Sequence, residues 1–291
     1  MHQLAAALDP WDLSALAAAG DDELAAVFAE PGVRDDAVHA LVRSLSTRGG
    51  PWTGPAGVVR VEVDLPDGSR DAWSVRFGPT SIALVDADPQ VAVRLPLAAL
   101  VRLAAGQADG ALLYLADALD VVGDETLLLG IGGELLTGAG RPLIDAAALD
   151  PVEVSAAIAG VRTEHLAAVM AGGFRDLVLG EVFRRVPEFV IAEKAARVKV
   201  AVAFEIGGRG DEPDRYVVRI VDGTCTVIPD ASPEEPVDAT LELAGHQFLR
   251  LVLGHLNPVR AVVSGELKVR GQVLKALGFN SVLWIPGSAG A

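Results

Sequence analysis

Chemistry at a protein site needs nucleophiles, bases, metal ligands or phosphate-cradling loops at workable spacing, and this chain offers few of them. Its histidines are His2, His39, His165, His246 and His255. None stands in an HExxH or HxH spacing that would aim two imidazoles at one metal ion. His246 and His255 flank one helix near opposite sides of it, which suits surface or capping roles. Cys225 is the single cysteine. It excludes an internal disulfide and a cysteine zinc site, and its place in GTCTVI predicts an apolar thiol buried on a strand. GIGGELL (Gly130 to Leu136) and FEIGGRG (Phe204 to Gly210) are glycine-rich, but neither has phosphate-loop spacing nor a GxGxxG between strand and helix. The first reads as a helix end and the second as a hairpin loop. GRGDEPD (Gly208 to Asp214) holds calcium-ligating residue types without EF-hand spacing and reads as a hairpin tip. Lys268 and Arg270 in GELKVRG fall on the wet face of a strand. The expectation is therefore no catalytic residue, no metal and no cofactor.

Charge narrows the partners. The chain carries a net −15, and its halves differ: residues 1–148 hold 9 Arg, no Lys and 21 acids, against 15 basic and 18 acidic residues in 149–291. So acidic a surface repels phosphate backbones and anionic headgroups, which argues against nucleic acid and against stable membrane insertion. The start MHQLAAALDPWDL lacks the basic opening of a secretory signal, and no apolar run approaches the roughly 18 residues of a membrane span. A cytoplasmic location is expected.

The elements that must position any site come in two copies. Val237 to Gly271 (VDATLELAGHQFLRLVLGHLNPVRAVVSGELKVRG) has a worn counterpart in Pro89 to Gly123 (PQVAVRLPLAALVRLAAGQADGALLYLADALDVVG). In both, an alternating strand enters a helix ended by Gly254 or Gly106, and a second short helix leads to a strand ended by Gly271 or Gly123. Further upstream, LDPWDLSAL (Leu8 to Leu16) pairs with LDPVEVSAA (Leu149 to Ala157), and ELAAVFA (Glu23 to Ala29) with HLAAVMA (His165 to Ala171). A unit of about 140 residues is a domain, not a solenoid repeat. Two domains are expected, 1–148 and 149–291, joined near Ala146 to Pro151.

Within each unit, period-two alternation marks strands. Val59, Val61, Val63 and Leu65 share one face of Val58 to Leu65; after the turn PDGS (Pro66 to Ser69), Trp73, Val75 and Phe77 share a face of the return strand. Ser81 to Val85, Val91 to Leu95 and Ala118 to Val122 follow. The second half repeats the scheme with Val198, Val200, Val202 and Phe204; Tyr216, Val218 and Ile220; Ala239, Leu241 and Leu243; and Leu267 and Val269. Such alternation predicts a wet face and a covered face. Helices supply the cover: Ala37, Val38, Leu41, Val42 and Leu45 recur at helical spacing, as do Phe174, Leu177, Val178, Val182 and Val186. The fold class is α+β, two tandem units, each a roughly five-stranded mixed or antiparallel sheet with helices on one face.

Asp238 to Leu241, Phe248, Leu249, Leu251, Gly254, Asn257, Pro258, Ala261, Ser264, Gly265, Leu267 to Val269 and Gly271 resemble the C-terminal signature of the sterol carrier protein type 2 family. The strands in ARVKVAVAFEIGG and DRYVVRIVDGTCTV are similar to that family's opening. The resemblance is good over residues 174–279 and weaker over 34–136, where Ala108 to Gly110 replace the Asn-Pro pair and Asp117 replaces Gly265. Membership implies a sheet and helices around an apolar tunnel that accepts sterols, fatty acyl chains or other lipids. On that basis Phe204, Tyr216, Val218, Phe248, Val252, Leu256, Val262, Leu274, Leu277 and Phe279 would line a ligand cavity, with Leu274 to Leu283 as its lid. The expected function is non-enzymatic binding, and transfer, of a lipophilic small molecule. A cavity-type enzyme and an interaction scaffold remain as alternatives, and a homodimer is a further candidate state. Tyr114, Tyr216 or Cys225 beside a ligand would favour an enzyme.

Overall fold

Alternating valines become the central strands of both sheets. β1 (Gly57–Asp64) pairs antiparallel with β2 (Arg70–Gly78), which pairs with β3 (Ser81–Val85). On its other side β1 runs parallel to β4 (Val91–Pro96), and β5 (Asp120–Gly123) closes that edge, giving the order β3-β2-β1-β4-β5. The structure is a computed structural model that describes residues 13–48 and 52–287. His2 and the Leu8 to Asp12 part of the upstream motif lie outside the described residues.

The second sheet contains β6 (Lys199–Gly207), β7 (Asp214–Val221), β8 (Thr224–Ile228), β9 (Ala239–Ala244) and β10 (Leu267–Gly271) in the order β10-β9-β6-β7-β8. Read from its other edge this is the same topology strand for strand, with β6 and β9 as the parallel pair. The chain divides between them into compact units, Met1–Ala148 and Leu149–Ala291.

In the first unit, α1 (Leu13–Ala18), α2 (Asp21–Val27) and α3 (Pro31–Arg48) precede the sheet, and α4 (Leu97–Ala105), α5 (Gly110–Leu115) and α6 (Glu125–Glu134) follow β4. Leu16, Leu24 and Phe28 pack against Val63, Leu97 and Val101; Val42 shares a second cluster with Val59, Val75, Phe77, Leu127 and Ile131. In the second unit, α7 (Pro151–Ile158), α8 (Thr163–Val169), α9 (Phe174–Arg185) and the short α10 (Ala192–Ala195) precede the sheet. Then α11 (Gly245–Val252), α12 (Pro258–Ser264) and α13 (Val273–Ser281) follow β9.

Two expectations need correction. The face of α9 that meets the core carries Phe174, Arg175, Val178, Leu179 and Phe183, whereas Leu177, Val182 and Val186 are only half-buried. The second sheet also has no wholly wet face at its centre. Ala203 and Val217 are fully buried beside Ala231, under the segment that returns from β8 to β9 and brings Ile228 and Val237 against them. Alanine at 201 and 203 leaves room for that cover, which alternation alone does not reveal.

Both copies use the same fastenings. Arg34 donates from Nε to Asp71 and from Nη1 to the carbonyls of Phe28 (2.7 Å) and Ala29 (3.0 Å). Arg175, with no exposed surface, donates to Asp214 (2.5 Å) and to the carbonyls of Met170 (2.6 Å), Gly207 (3.2 Å) and Ile206 (2.5 Å). Each guanidinium tethers the chain end of a preceding helix to the sheet. A Cβ at Gly123 would fall 2.3 Å from the Gln90 carbonyl, and one at Gly271 2.6 Å from that of Asp238, so only glycine lets each edge strand leave so close to its neighbour. The first copy also replaces what its sequence lost: Asp109 accepts from Ala111 and Leu112 N–H as Asn257 does from Arg260, and Asp117 takes a positive φ of 59° where Gly265 has 81°.

Candidate ligand-binding site

Five aromatic rings from five elements of the second unit meet above its sheet. Phe204 of β6 and Tyr216 of β7 are register partners, so their side chains rise side by side. Phe183 of α9 stacks on Tyr216 at 3.9 Å and 6° and on Phe248 of α11 at 5.3 Å. Phe204 meets Phe248 edge-on at 5.9 Å and Phe279 of α13 at 6.0 Å. The structure thus brings together Phe204, Tyr216, Phe248 and Phe279 as one wall, with ring in contact with ring, and adds Phe183, which the sequence reading missed. Phe183 lies one helical turn past Leu179, the spacing that could have found it.

Behind Phe279 the wall opens. A cleft of about 570 Å³ separates α13 from the start of β6, lined by Lys194, Val198, Lys199 and Val200 on one side and by Leu274, Lys275, Gly278, Phe279, Ser281 and Val282 on the other. That volume lies inside the range of small-molecule sites, ~300–1,000 Å³. The lining is mostly apolar, with three lysines among its ten residues, and the cleft is open to solvent.

A latch sets the distance between α13 and the sheet. The Asp238 carboxylate accepts from the Ala201 N–H (2.9 Å) and from Lys275 Nζ (2.6 Å), while its carbonyl accepts from the Gln272 N–H (2.8 Å). Partial burial pushes the Asp238 carboxyl up, but the hydrogen bonds from Lys275 and Ala201 prevail and hold it below the ordinary 3.8. Lys199, another lining residue, is 3.5 Å from Asp222, an exposed pair of little energetic weight.

The remaining expected lining residues are spread over three environments. Val218 is fully buried under the aromatic wall, Val252 and Leu256 are half-buried, and Val262 (43%), Leu277 (44%) and Leu274 (84%) face outward. Leu274 and Phe279 are the two that line the cleft. Burial, and then Asp214, raise the Tyr216 phenol. In the first unit Tyr114 donates to Glu125 at 2.9 Å, and burial followed by this bond raises its phenol above the ordinary 10.0. Burial pushes the half-buried Cys225 thiol up to about 11, which keeps it protonated and unreactive at neutral pH. His255 Nε2 meets the carbonyl (2.8 Å) and hydroxyl (3.1 Å) of Ser155, a tie between α7 and the end of α11; burial, then Arg250, lowers His246. Among the described residues no three His, Cys, Asp or Glu side chains gather as a metal site, and no helix is long and apolar enough to cross a membrane.

These features define an α+β domain with an amphipathic cleft beneath its C-terminal helix. Residues 181–283 match the model of the SCP-2 sterol transfer family. Sterol carrier protein 2 of Homo sapiens is 27% identical over 139 residues, which cover 46% of this chain and 25% of the human protein. The fatty acid-binding protein of Yarrowia lipolytica is 25% identical over 92 residues, covering 32% of this chain and 71% of that protein. The solved sterol carrier protein 2 from Yarrowia lipolytica in its apo form is 22% identical, covers 41% of this chain and 94% of that one, and gives a TM-score of 0.25. The chain therefore spans about a quarter of the length of the human relative.

Proposed function

We propose that the second unit binds a lipophilic small molecule, such as a sterol, a fatty acyl chain or an isoprenoid, in the cleft under α13, and passes it on without chemical change. The observation that carries this reading is the cleft itself: aliphatic walls, a volume of about 570 Å³ and an aromatic back wall reached through Phe279, all inside the stretch that matches the SCP-2 family. The named relatives, a sterol carrier protein and a fatty acid-binding protein, support it. Burying an alkyl chain contributes ~0.8 kcal/mol per CH₂, so about ten carbons reach micromolar affinity without a charged anchor. The first unit, built on the same topology, serves in this reading as a sterol-carrier-like scaffold, and the protein works in the cytoplasm.

Native mass spectrometry of the purified chain, followed by organic extraction, tests the reading directly. A co-purified lipid, or saturable displacement of a fluorescent fatty-acid probe, is the expected result. Absence of both would sink it.

A further inference from the structure

The cleft under α13 carries a charge that the rest of the chain does not. Only four of the chain's 24 basic residues are lysine, all four in the second unit, and they stand against 39 acids. Lys194, Lys199 and Lys275 are among the ten residues that line the cleft, and no arginine, aspartate or glutamate is. Three of the four lysines thus gather on one small surface of a protein of net −15.

Their ammonium groups are not equally engaged. Lys275 bonds to the Asp238 carboxylate at 2.6 Å. Lys199 reaches only Asp222 at 3.5 Å, and with both side chains more than half exposed, water screens that pair. Lys194 is exposed and pairs with no acid among the described residues. Two cations are therefore available to a ligand. Their type says what they can read: arginine presents a planar fork that selects by shape, whereas lysine is a compact point charge with rotatable donors. Lysines select by sign, and accept a carboxylate or a phosphate ester alike. Val198, Val200, Leu274, Phe279 and Val282 supply an apolar surface that a bare anion would leave in water.

We infer that this cleft selects amphiphiles ending in an anionic group, a carboxylate or a phosphate ester, over neutral lipids such as sterols, and that Lys194 and Lys199 set the preference. The inference rests on the lipid-binding reading above and narrows it. A neutral ligand gains from the apolar lining alone, and laying it along the cleft takes water from ammonium groups without return. An anionic head offsets that loss by Coulomb attraction, which for two unit charges ~4 Å apart in water amounts to about fivefold in affinity. Lys275, already held by Asp238, adds less, and no lining carboxylate opposes the anion.

Titration calorimetry of the full chain tests this with four ligands that share a decyl-length tail and differ in the head: decanoate, decyl phosphate, decanol and decyltrimethylammonium. The two anions should bind at least about tenfold more tightly than decanol and the cation most weakly, with the gaps narrowing as salt is added. Lys194→Gln and Lys199→Gln should each weaken decanoate about three- to fivefold and leave decanol unchanged. Lys268→Gln, at the lysine that does not line the cleft, should leave all four ligands unaffected. Circular dichroism verifies that each variant is folded. Decanol binding as tightly as decanoate, or folded Lys194 and Lys199 variants that keep the parent's preference, would overturn the inference and leave lipid binding standing. So would inorganic phosphate that displaces decyl phosphate at equal concentration, because the lysines would then serve a free anion. If none of the four ligands binds, the lipid-binding reading itself fails and the inference falls with it.

Discussion

Gly278 offers a clean way to ask whether the cleft under α13 is the ligand site. It lies inside the helix and lines the cleft, and a Cβ built on it meets nothing within 4 Å. Gly278→Trp therefore adds an indole to open space rather than to packed core. Removing a mid-helix glycine helps the helix by about half a kcal/mol, so the variant should melt no lower than the parent. The indole excludes ligand from a volume that three or four methylenes would occupy, forfeiting about 2.4–3.2 kcal/mol at ~0.8 kcal/mol per CH₂, or roughly 50- to 200-fold in Kd. Displacement of a fluorescent fatty-acid probe measures that loss and a thermal melt reports the fold. Gly180→Trp is the control, since Gly180 on α9 is also open to solvent but lies outside the cleft. A folded Gly278→Trp protein that binds the probe like the parent would refute the assignment.

Other substitutions probe the framework around the cleft. Arg175→Met removes a fully buried guanidinium and leaves the Met170 and Ile206 carbonyls without their donor, so denaturant unfolding should show a loss of about 3–5 kcal/mol. Gly271→Ala puts a methyl against the Asp238 carbonyl at a φ of 85°, and a destabilisation of at least ~1–2 kcal/mol is expected in the same assay. For Asp238, a folded carboxyl held below 3.8 stabilises the fold fully above that pH and loses its contribution as pH falls through the lower folded value. Asp238→Asn should therefore flatten the acid limb of a stability-against-pH curve, and an unchanged limb would count against the latch.

The strands were legible because period-two alternation is a local signal. Val59, Val61 and Val63, or Val200, Val202 and Phe204, declare a buried face without knowledge of what covers it. The residues that fasten one element to another were not legible. Arg175 interrupts the apolar face of α9, and its burial makes sense only once the fold brings Asp214 and three carbonyls to its donors. Reading past it rotated the expected helix face and hid Phe183. Of the ten residues expected around a cavity, the aromatic ones come together because large rings on inward faces must meet somewhere, but only Phe279 and Leu274 line the cleft. Lys194 and Lys199 could not be found, since nothing in the chain between them and Leu274 indicates that α13 will lie across the start of β6.

Corresponding positions in the two copies also explain where the cleft between α13 and the start of β6 comes from. Strand register sets Val59 opposite Val91 and Val202 opposite Ala239, which makes Val200 the counterpart of Gly57. At Gly57 the missing side chain admits Leu127 of α6, whose Cδ2 would lie 2.5 Å from a Cβ there, so α6 settles onto β1. In the second copy the glycine becomes Val200 and the leucine's place is taken by Lys275; both line the cleft. A valine blocks the close approach, and an ammonium cannot replace the lost aliphatic contact at low cost. Lys275 instead bonds to Asp238, whose carboxylate accepts the Ala201 N–H just as Gln90 accepts that of Val58. Two side-chain exchanges on an unchanged strand skeleton thus replace an aliphatic helix–sheet contact with an ion pair at the place where the cleft lies between α13 and the start of β6.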